Sequence, residues 1–302
     1  MTAVLLAGFR SKFEERAADI EAAEGLLEDA GARVALLRGE GLEELLEGLR
    51  SKAPEADVVL IAGGDGTLNA AAPALMETGS TLAVLPLGTA NDLARTLGLS
   101  GQAIEVAVGV ALNGREVALD LGEVNGVFFF NVASLGLGAK VARRLTGDAK
   151  RRWGIFSYPA TLLAVWRARR SFEVHLRCDG RKSRLRTIHV AVGNGRYYGG
   201  GMVVAPDAQI NDGQLVVTSI APQSLLRLLL LGSALHLGLT GGLGGVVQNR
   251  GSKVEIETGS PMGIDTDGEI RAHTPAKFSL RRKALRVRVP ADSEIIDSSE
   301  EQ

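Results

Sequence analysis

The sequence predicts an α/β domain of Rossmann-like architecture followed by a mostly β, sandwich-like domain. Up to about residue 100, short apolar runs alternate with amphipathic stretches, the pattern of parallel strands covered by helices. After residue 115, apolar runs rich in β-branched residues are separated by Gly, Asn and Asp turns, the pattern of antiparallel strands. With 302 residues, 45% of them hydrophobic, the chain can bury a sizeable core.

The first domain is predicted to begin with parallel strands and two long helices. The predicted strands are Val4–Ala7, Arg33–Leu37, Val58–Ala62 and Leu82–Pro86. The segment Glu14–Ala30 has apolar residues at helical spacing and stops at Gly31, a usual helix-ending residue, and a second helix is predicted near Leu42–Leu49. Residues 14–57 contain 13 acidic and 5 basic residues, which we assign to the solvated faces of these helices.

The second domain is predicted to consist almost entirely of strands. These are Glu116–Val124, Val127–Ser134, Phe172–Cys178, Leu185–Val192, Leu215–Ile220, Lys253–Glu257, Glu269–Ala272, Lys277–Leu280 and Leu285–Val289. Helices are predicted only around Phe156–Ala168 and Ser224–Leu237. We place the domain boundary at residue 120, which gives domains of residues 1–119 and 120–290. The acidic tail, residues 291–302, has little to pack and is predicted to be disordered or loosely attached.

Charge and cysteine content exclude several classes of protein. The net charge of −1 argues against a general nucleic-acid binder, and the single cysteine, Cys178, cannot form an intramolecular disulfide. The first ten residues lack the basic region and cleavage site of a signal peptide, so we interpret them as a strand and expect a cytoplasmic protein. The uncharged segment Leu228–Val247 is 20 residues long, but its six glycines favour a buried helix and a Gly-rich loop over a membrane span.

A glycine-rich segment follows the third predicted strand. It is Gly63-Gly64-Asp65-Gly66-Thr67-Leu68-Asn69. Glycines let a backbone approach a ligand closely, and the N–H groups at a helix N-terminus bind phosphate oxygens. The spacing fits neither the P-loop nor the dinucleotide fingerprint. The segment therefore predicts a phosphate-binding loop, with an ordinary tight turn in which Asp65 caps the helix as the alternative.

A second polar loop follows the fourth predicted strand, within Leu85–Arg95. Because the carboxyl ends of adjacent parallel strands meet at one edge of a sheet, we expect the two loops to form one pocket. Three side chains are predicted to hydrogen-bond a nucleotide: Thr67, Asn69 and Thr89. Asp65 and Asp92 are candidates to anchor Mg²⁺, which prefers carboxylates, waters and phosphate oxygens.

These two loops resemble those of the diacylglycerol kinase catalytic-domain family, which includes bacterial lipid kinases of the YegS and DgkB type and the sphingosine and ceramide kinases. The GGDGT element alone is shared with NAD kinases. Further elements match the family in order, and the match is closest to the YegS group. They are the turn Gly193-Asn194-Gly195, the triple glycine Gly199–Gly201, the segment Pro206–Leu215 and the motif Asp267-Gly268-Glu269. The resemblance covers nearly the whole chain.

The resemblance implies an ATP- and Mg²⁺-dependent lipid kinase with the nucleotide between its two domains. Glu269 stands at the position of the family's proton acceptor, although a solvated hairpin carboxylate is the alternative for this residue taken alone. Asp120 joins Asp65 and Asp92 as a candidate for the catalytic Mg²⁺ network. A structural Mg²⁺ would be held by the Asp212 carboxylate and two backbone carbonyls, those of Gln209 and Gln214. An Asx-type turn without metal is the alternative there.

The first and second strands depart from the family at their ends. Many relatives have an N-P-x-S-G-type nucleotide loop where this chain has Ala7–Lys12. The Thr that relatives place after the second strand is either replaced by Arg38 or lost. Gly8 and Ser11 remain candidates to approach phosphate or ribose. The full set of predicted nucleotide-binding residues is Gly8, Arg38, Gly63, Gly64, Asp65, Gly66, Thr67, Leu68, Asn69 and Thr89.

The charge distribution predicts peripheral contact with a membrane surface. Residues 140–186 contain 14 basic and 3 acidic residues, together with Trp153, Tyr158 and Trp166. Surface arginines on a soluble β domain are the alternative. Two rival functions remain, a non-catalytic nucleotide- or lipid-binding relative and an NAD kinase. The sequence does not identify the lipid, with diacylglycerol and phosphatidylglycerol among the candidates, and it leaves the oligomeric state open, with a homodimer as one possible assembly.

Overall fold

A computed structural model describes residues 1–136, 171–198, 202–203, 205, 207–224, 226–227 and 244–295. These residues form two compact units, one of Met1–Leu121 with the segment from Arg282 onward and one of Gly122–Arg281. Five predicted features lie wholly or largely outside the described residues: the two second-domain helices, the apolar segment 228–247, the basic residues up to 170 and the triple glycine. In the part of the chain that the structure describes, no helix is long and apolar enough to cross a bilayer.

The first unit is a parallel sheet with helices on both faces, which confirms the predicted α/β fold. Its strands lie in the order β2-β1-β3-β4. Its elements are β1 (Ala3–Phe9), α1 (Arg10–Glu15), α2 (Ala17–Asp29), β2 (Arg33–Gly39), α3 (Leu42–Lys52), a 3₁₀ turn (Ala53–Glu55), β3 (Val58–Gly63), α4 (Asp65–Thr78), β4 (Leu82–Pro86), α5 (Asp92–Thr96) and α6 (Ile104–Asn113).

Two helical layers bury this sheet. Every residue of β3 is buried, as expected for a central strand covered on both faces. Leu6 and Leu60 pack with Ile20 and Leu27 of α2, in a cluster that also contains residues of α6. Because successive side chains of a strand point to opposite faces, the intervening residues face the other layer, where α3 packs on α4.

The second unit is a β sandwich, as predicted. Its strands, two of which also extend into the first unit, are β5 (Arg115–Val124), β6 (Val127–Phe129), β7 (Val132–Gly136), β8 (Phe172–Cys178), β9 (Arg181–Thr187), β10 (His189–Gly193), β11 (Tyr197–Tyr198), β12 (Met202–Val203), β13 (Leu215–Ile220), β14 (Val246–Gly251), β15 (Val254–Thr258), β16 (Gly263–Thr266), β17 (Glu269–His273) and β18 (Ala276–Val289). One sheet has the order β14-β13-β10-β7-β16-β17. In the other layer β15 pairs antiparallel with β18 and β8, and β8 with β9. A single buried cluster unites side chains of both layers, including Val192, Leu215, Val174 and Ile256.

Several element boundaries differ from the sequence prediction. The helix expected over Glu14–Ala30 is broken at Arg16, where φ is −121° and ψ is 36°. The strand expected over Leu185–Val192 is two strands in different layers, because the hydroxyl of Thr187 accepts the N–H of His189 at 3.1 Å and turns the chain between them. The strand β14 occupies part of the stretch where a Gly-rich loop was expected.

The C-terminal segment packs on the first unit. Strand β18 lies beside β4, with Val287 paired to Leu82, although the sequence analysis assigned residues up to 290 to the second domain. A loosely attached tail is wrong for residues 291–295, because Ile295 is buried and its carbonyl accepts Nη2 of Arg115 at 2.7 Å. Residues 296–302 lie outside the described residues.

Candidate active site

The glycine-rich loop lies where β3 ends and α4 begins. Gly64 is the N-cap of α4, and its carbonyl accepts the N–H of Thr67 at 3.0 Å. The first N–H groups of a helix have no partner within the helix, so those of Asp65 and Gly66 point to the N-terminal end of α4. Such groups, together with the helix dipole, favour a phosphate oxygen at this position.

Asp65 caps the neighbouring helix and leaves its own uncapped. Its Oδ2 accepts the N–H of Asp92 at 3.1 Å and its Oδ1 accepts the N–H of Leu93 at 3.0 Å. These are the first two residues of α5, whereas α4 has no side-chain cap. The alternative in which Asp65 caps its own helix is therefore wrong. The loops that follow β3 and β4 are in direct contact, as the sheet-edge argument predicts.

Glycines bring these two loops together. A Cβ atom on Gly88 would lie 2.5 Å from Cα of Gly64, which is too close for any side chain. Asn91, whose φ of 49° is left-handed, accepts the N–H of Gly88 at 3.0 Å and donates to the carbonyl of Pro86 at 3.2 Å. Asn91 was not among the predicted site residues. The signal for it was its place before a predicted helix, because Asn tolerates the left-handed conformation.

The predicted nucleotide-binding side chains differ in accessibility. Thr67 and Asn69 are buried in α4, whereas Thr89 is exposed. Gly63 leaves room for Thr67, because a Cβ atom on it would lie 2.5 Å from Oγ1 of that residue. Leu68 is 2% exposed and belongs to the core, so only its backbone can face a ligand. Nucleotide binding by these residues stays a prediction.

Gly8 and Arg38 are register partners on β1 and β2. A Cβ atom on Gly8 would lie 2.6 Å from the carbonyl oxygen of Ala62, so this glycine is required by the packing of the sheet. The Arg38 guanidinium lies 5.4 Å from the ring centroid of Phe13, a cation–π contact. The side chains of Arg38 and Phe13 line a cavity of about 500 Å³. No residue of the glycine-rich loop lines this cavity. The structure thus separates Arg38 from that loop.

The three candidate carboxylates for the catalytic Mg²⁺ are engaged within the first unit. Besides the Asp65 contacts, Oδ1 of Asp92 pairs with Nη1 of Arg95 at 2.7 Å, and Oδ1 of the buried Asp120 accepts the N–H of Lys283 at 2.7 Å. Within the described ranges, no three Asp, Glu, His or Cys side chains are placed to hold a metal ion. Carboxylate oxygens are ligands that Mg²⁺ prefers, so the chemistry of these three side chains suits the ion. Binding of one Mg²⁺ by all three stays a prediction.

The Asp212 turn has the geometry of the Asx-type alternative. The Oδ2 atom of Asp212 accepts the N–H of Gln209 at 3.1 Å and its Oδ1 atom accepts the N–H of Gln214 at 2.9 Å. The N–H of Asp212 donates to the carbonyl of Gln209 at 3.3 Å. Since carboxylate and carbonyl oxygens each keep a second lone pair, the donor set is compatible with Mg²⁺. The structural metal also stays a prediction.

Glu269 is the first residue of β17 and follows the left-handed turn Asp267-Gly268. Its side chain is 57% exposed, and Oε2 accepts Nη2 of Arg271 at 2.7 Å and Nε at 3.0 Å. The surroundings are those of a solvated hairpin carboxylate, open to a substrate from solvent, and the proton-acceptor role stays a prediction. Asp267, which had no predicted role, accepts three backbone N–H groups. Its place in the D-G-E motif could have identified it as a functional residue.

Comparisons with known families divide the chain close to the structural boundary after Leu121, although the second match continues into the segment from Arg282 that belongs to the first unit. Residues 3–124 match the diacylglycerol kinase catalytic domain, and residues 131–289 match the YegS C-terminal NAD kinase beta sandwich-like domain. A Pseudomonas putida protein named "Probable lipid kinase YegS-like" is 34% identical over 286 residues, 92% of each chain. A Pseudomonas aeruginosa protein of the same name is 37% identical over 248 residues, 78% of this chain and 77% of its own.

Solved structures share the fold at lower identity. A diacylglycerol kinase from Bacillus anthracis has a TM-score of 0.73 and 22% identity, with 96% of this chain and 97% of that chain covered. An NAD kinase from Archaeoglobus fulgidus in complex with ATP has a TM-score of 0.54 and 15% identity, with 97% of this chain and 95% of that chain covered. At these identities the likeness supports the fold alone.

Proposed function

Because this chain belongs to the YegS-like lipid kinases of the diacylglycerol kinase family, we propose that it transfers the γ-phosphate of ATP to the hydroxyl of a lipid alcohol, with Mg²⁺ as cofactor. The supporting observation in the structure is the Asp65 carboxylate, which holds the strand-end loops of β3 and β4 together beside the N-terminus of α4. The acceptor class is diacylglycerol, phosphatidylglycerol or a related lipid alcohol.

The reaction requires one bond to form and one to break. The lipid hydroxyl oxygen bonds to the γ-phosphorus, the bond from that phosphorus to the β–γ bridging oxygen breaks, and ADP leaves. The hydroxyl proton passes to the Glu269 carboxylate. Phosphoryl transfer depends mainly on positioning and charge stabilisation, so one proton acceptor and an ordered phosphate site are the parts that the protein must supply.

The first unit supplies the phosphate site in this proposal. The N–H groups of Asp65 and Gly66, at the start of α4, bind phosphate oxygens, and Asp65 keeps the second loop in place. Bound Mg²⁺ supplies positive charge against the phosphate oxygens, and Asp65, Asp92 and Asp120 are the residues that would hold it. In the second unit the turn at Asp212 would hold a structural ion.

Transfer of labelled γ-phosphate from ATP tests this function. With Mg²⁺ and a panel of lipid alcohols in mixed micelles, we expect label on one lipid class and none on NAD. EDTA should abolish the label, and the Asp65→Ala substitution should lower it by about 100-fold or more. Label on NAD alone would identify an NAD kinase, and ATP binding without transfer to any acceptor would favour a non-catalytic binding protein. Either result would contradict the proposed function.

We further propose that the chain binds anionic membrane surfaces through basic residues, of which the structure describes those on β8 and β9. Arg184 pairs with Glu173 at 2.6 Å and Arg177 with Glu255 at 2.8 Å, so the charges of these two arginines are offset. Arg181 and Lys182, at the turn between the strands, are exposed. Arg186 is exposed as well and donates to the neutral Ser171 hydroxyl at 3.2 Å, so that contact does not offset its charge. Each cation near anionic lipid contributes about 1 kcal/mol, so Arg181, Lys182 and Arg186 would together contribute most of this hairpin's attraction.

Replacing both Arg181 and Lys182 by Gln should therefore weaken binding to vesicles that contain phosphatidylglycerol. At about 1 kcal/mol for each charge, we expect a loss of roughly 30-fold in the partition coefficient, measured by co-sedimentation at low salt. The control is the double substitution Arg184→Gln with Glu173→Gln, which removes a pair of opposite charges and leaves the net charge unchanged, so binding should change less than about threefold. Equal binding to phosphatidylcholine vesicles, or indifference to salt, would contradict the proposal.

A further inference from the structure

Asp267 ties the turn between β16 and β17 to a distant part of the chain. Its Oδ2 accepts the N–H of Phe130 at 2.9 Å, and its Oδ1 accepts the N–H of Asn131 at 3.3 Å and of Val132 at 3.0 Å. Its own N–H donates to the carbonyl of Val132 at 3.0 Å. Both the side chain and the main chain of Asp267 therefore bind the junction between β6 and β7.

The junction that Asp267 binds is itself firmly held. Phe130 is 1% exposed and Asn131 is 3% exposed. Asn194, from the turn after β10, donates its Nδ2 to the carbonyl of Phe130 at 3.0 Å and its backbone N–H to the carbonyl of Asn131 at 2.8 Å. Because buried, close-packed segments move little, this junction is a fixed anchor for the Asp267 turn.

The anchored turn fixes the backbone position of Glu269. Asp267 and Gly268 have φ values of 45° and 105°, and the N–H of Gly268 donates to Oδ1 of Asp265 at 2.8 Å. Glu269 comes next in the chain and is the register partner of Thr266 across the hairpin. Its backbone position is thus set by the turn. Its exposed carboxylate pairs with Arg271 of the same strand, a contact that moves with the strand and cannot anchor it.

We propose that Asp267 is a positioning residue for the proton acceptor: its carboxylate fixes the D-G-E turn to Phe130–Val132 and so sets where the Glu269 carboxylate meets the lipid hydroxyl. The inference rests on the proposed function, and Asp267 acts only through Glu269. Hydrogen bonds to an ionised carboxylate are about twice as strong as neutral ones, so Asn in place of Asp loosens the anchor. Asn also tolerates a positive φ, which keeps the turn itself.

The test is Asp267→Asn, alone and combined with Glu269→Gln. Since a misplacement of about 1 Å can cost a rate of order 100-fold, we expect kcat to fall about 10- to 100-fold with the KM for ATP unchanged. In the Glu269→Gln background the same substitution should lower the residual rate less than about twofold, because the group that Asp267 positions is already lost. Asp267→Gly, which also permits a positive φ, repeats the test if the Asn variant does not fold.

Asp179 provides a matched control in the same unit. Asp179-Gly180 forms the turn between β8 and β9 with φ values of 44° and 85°, and the Asp179 carboxylate accepts the N–H of Lys253 at 2.9 Å and of Ser252 at 3.1 Å. These backbone hydrogen bonds lower the pKa of Asp179, as expected for a stabilised carboxylate. Asp179→Asn therefore weakens a similar set of backbone hydrogen bonds at a turn that carries no proposed proton acceptor. We expect kcat to remain unchanged in this variant.

The outcomes separate the inference from the proposed function. No turnover by the wild-type chain would overturn both. Turnover that Asp267→Asn leaves unchanged would overturn the inference alone. So would a loss of equal size in the Glu269→Gln background, or an equal loss of kcat in Asp179→Asn, because each would mean that Asp267 acts on general stability and not through Glu269.

Discussion

Substituting Glu269 by Gln is expected to lower kcat for lipid phosphorylation by about 10²- to 10⁴-fold, the usual contribution of a positioned general base. Gln has nearly the same shape, so it fills the same space at the start of β17, but it cannot accept the proton of the lipid hydroxyl. The affinity for ATP should not change, because in the proposed mechanism the phosphate site belongs to the loops after β3 and β4. The measurement is steady-state transfer of labelled phosphate, with ATP binding followed by calorimetry.

The fold should tolerate this substitution. Glu269 is 57% exposed and pairs with Arg271 on the surface, and such pairs contribute at most about 1 kcal/mol. Glu255→Gln is the matched control, since Glu255 also pairs with an arginine, Arg177 at 2.8 Å, on a strand of the same unit. We expect unchanged kcat in the control. Unchanged kcat in Glu269→Gln as well would show that another group accepts the proton.

The fold could be predicted from sequence where pattern and burial agree. The run of Val58–Ala62 is apolar at every position, as a central parallel strand requires, and the strand lies there with one additional residue. The stretch Leu185–Val192 was misread as one strand because apolar residues recur on both sides of a change of layer. That change depends on the Thr187 hydroxyl and not on hydropathy. The pairing of β18 with β4 of the first unit is a long-range contact. No local pattern in Leu285–Val289 specifies that partner strand.

The sequence predicted which residue types form the candidate site and that its two loops meet, but not which groups these residues bind. Sequence spacing indicated that the loops after β3 and β4 meet, and the contact between Asp65 and α5 agrees with it. The sequence could not show that Asp65 caps α5 in place of its own helix, because that depends on how closely Gly64 and Gly88 approach. It also could not show the backbone partners of Asp267, since these lie far away in the chain.

Substituting Asp65 by Ala is expected to remove both nucleotide binding and part of the fold's stability. Two N–H groups at the start of α5 lose a charged acceptor, which costs about 1–3 kcal/mol of unfolding free energy. The loop after β4 is then no longer tied to the phosphate site, and a candidate Mg²⁺ ligand is lost. Because losing even an indirect partner of a metal costs about 10- to 100-fold, we expect kcat/KM to fall by about 100-fold or more.

Asp57→Ala separates these two effects. Asp57 and Asp65 flank opposite ends of β3, and Oδ2 of Asp57 accepts the N–H of Ala3 at 2.7 Å, so it also ties two segments of the first unit. Parallel strands bind ligands at their carboxyl ends, and Asp57 lies at the amino end. Its loss should therefore lower the melting temperature and leave the affinity for ATP with Mg²⁺ unchanged. If Asp65→Ala likewise only lowers the melting temperature, Asp65 is a helix cap without a direct part in catalysis, and the metal would have to be held by other residues.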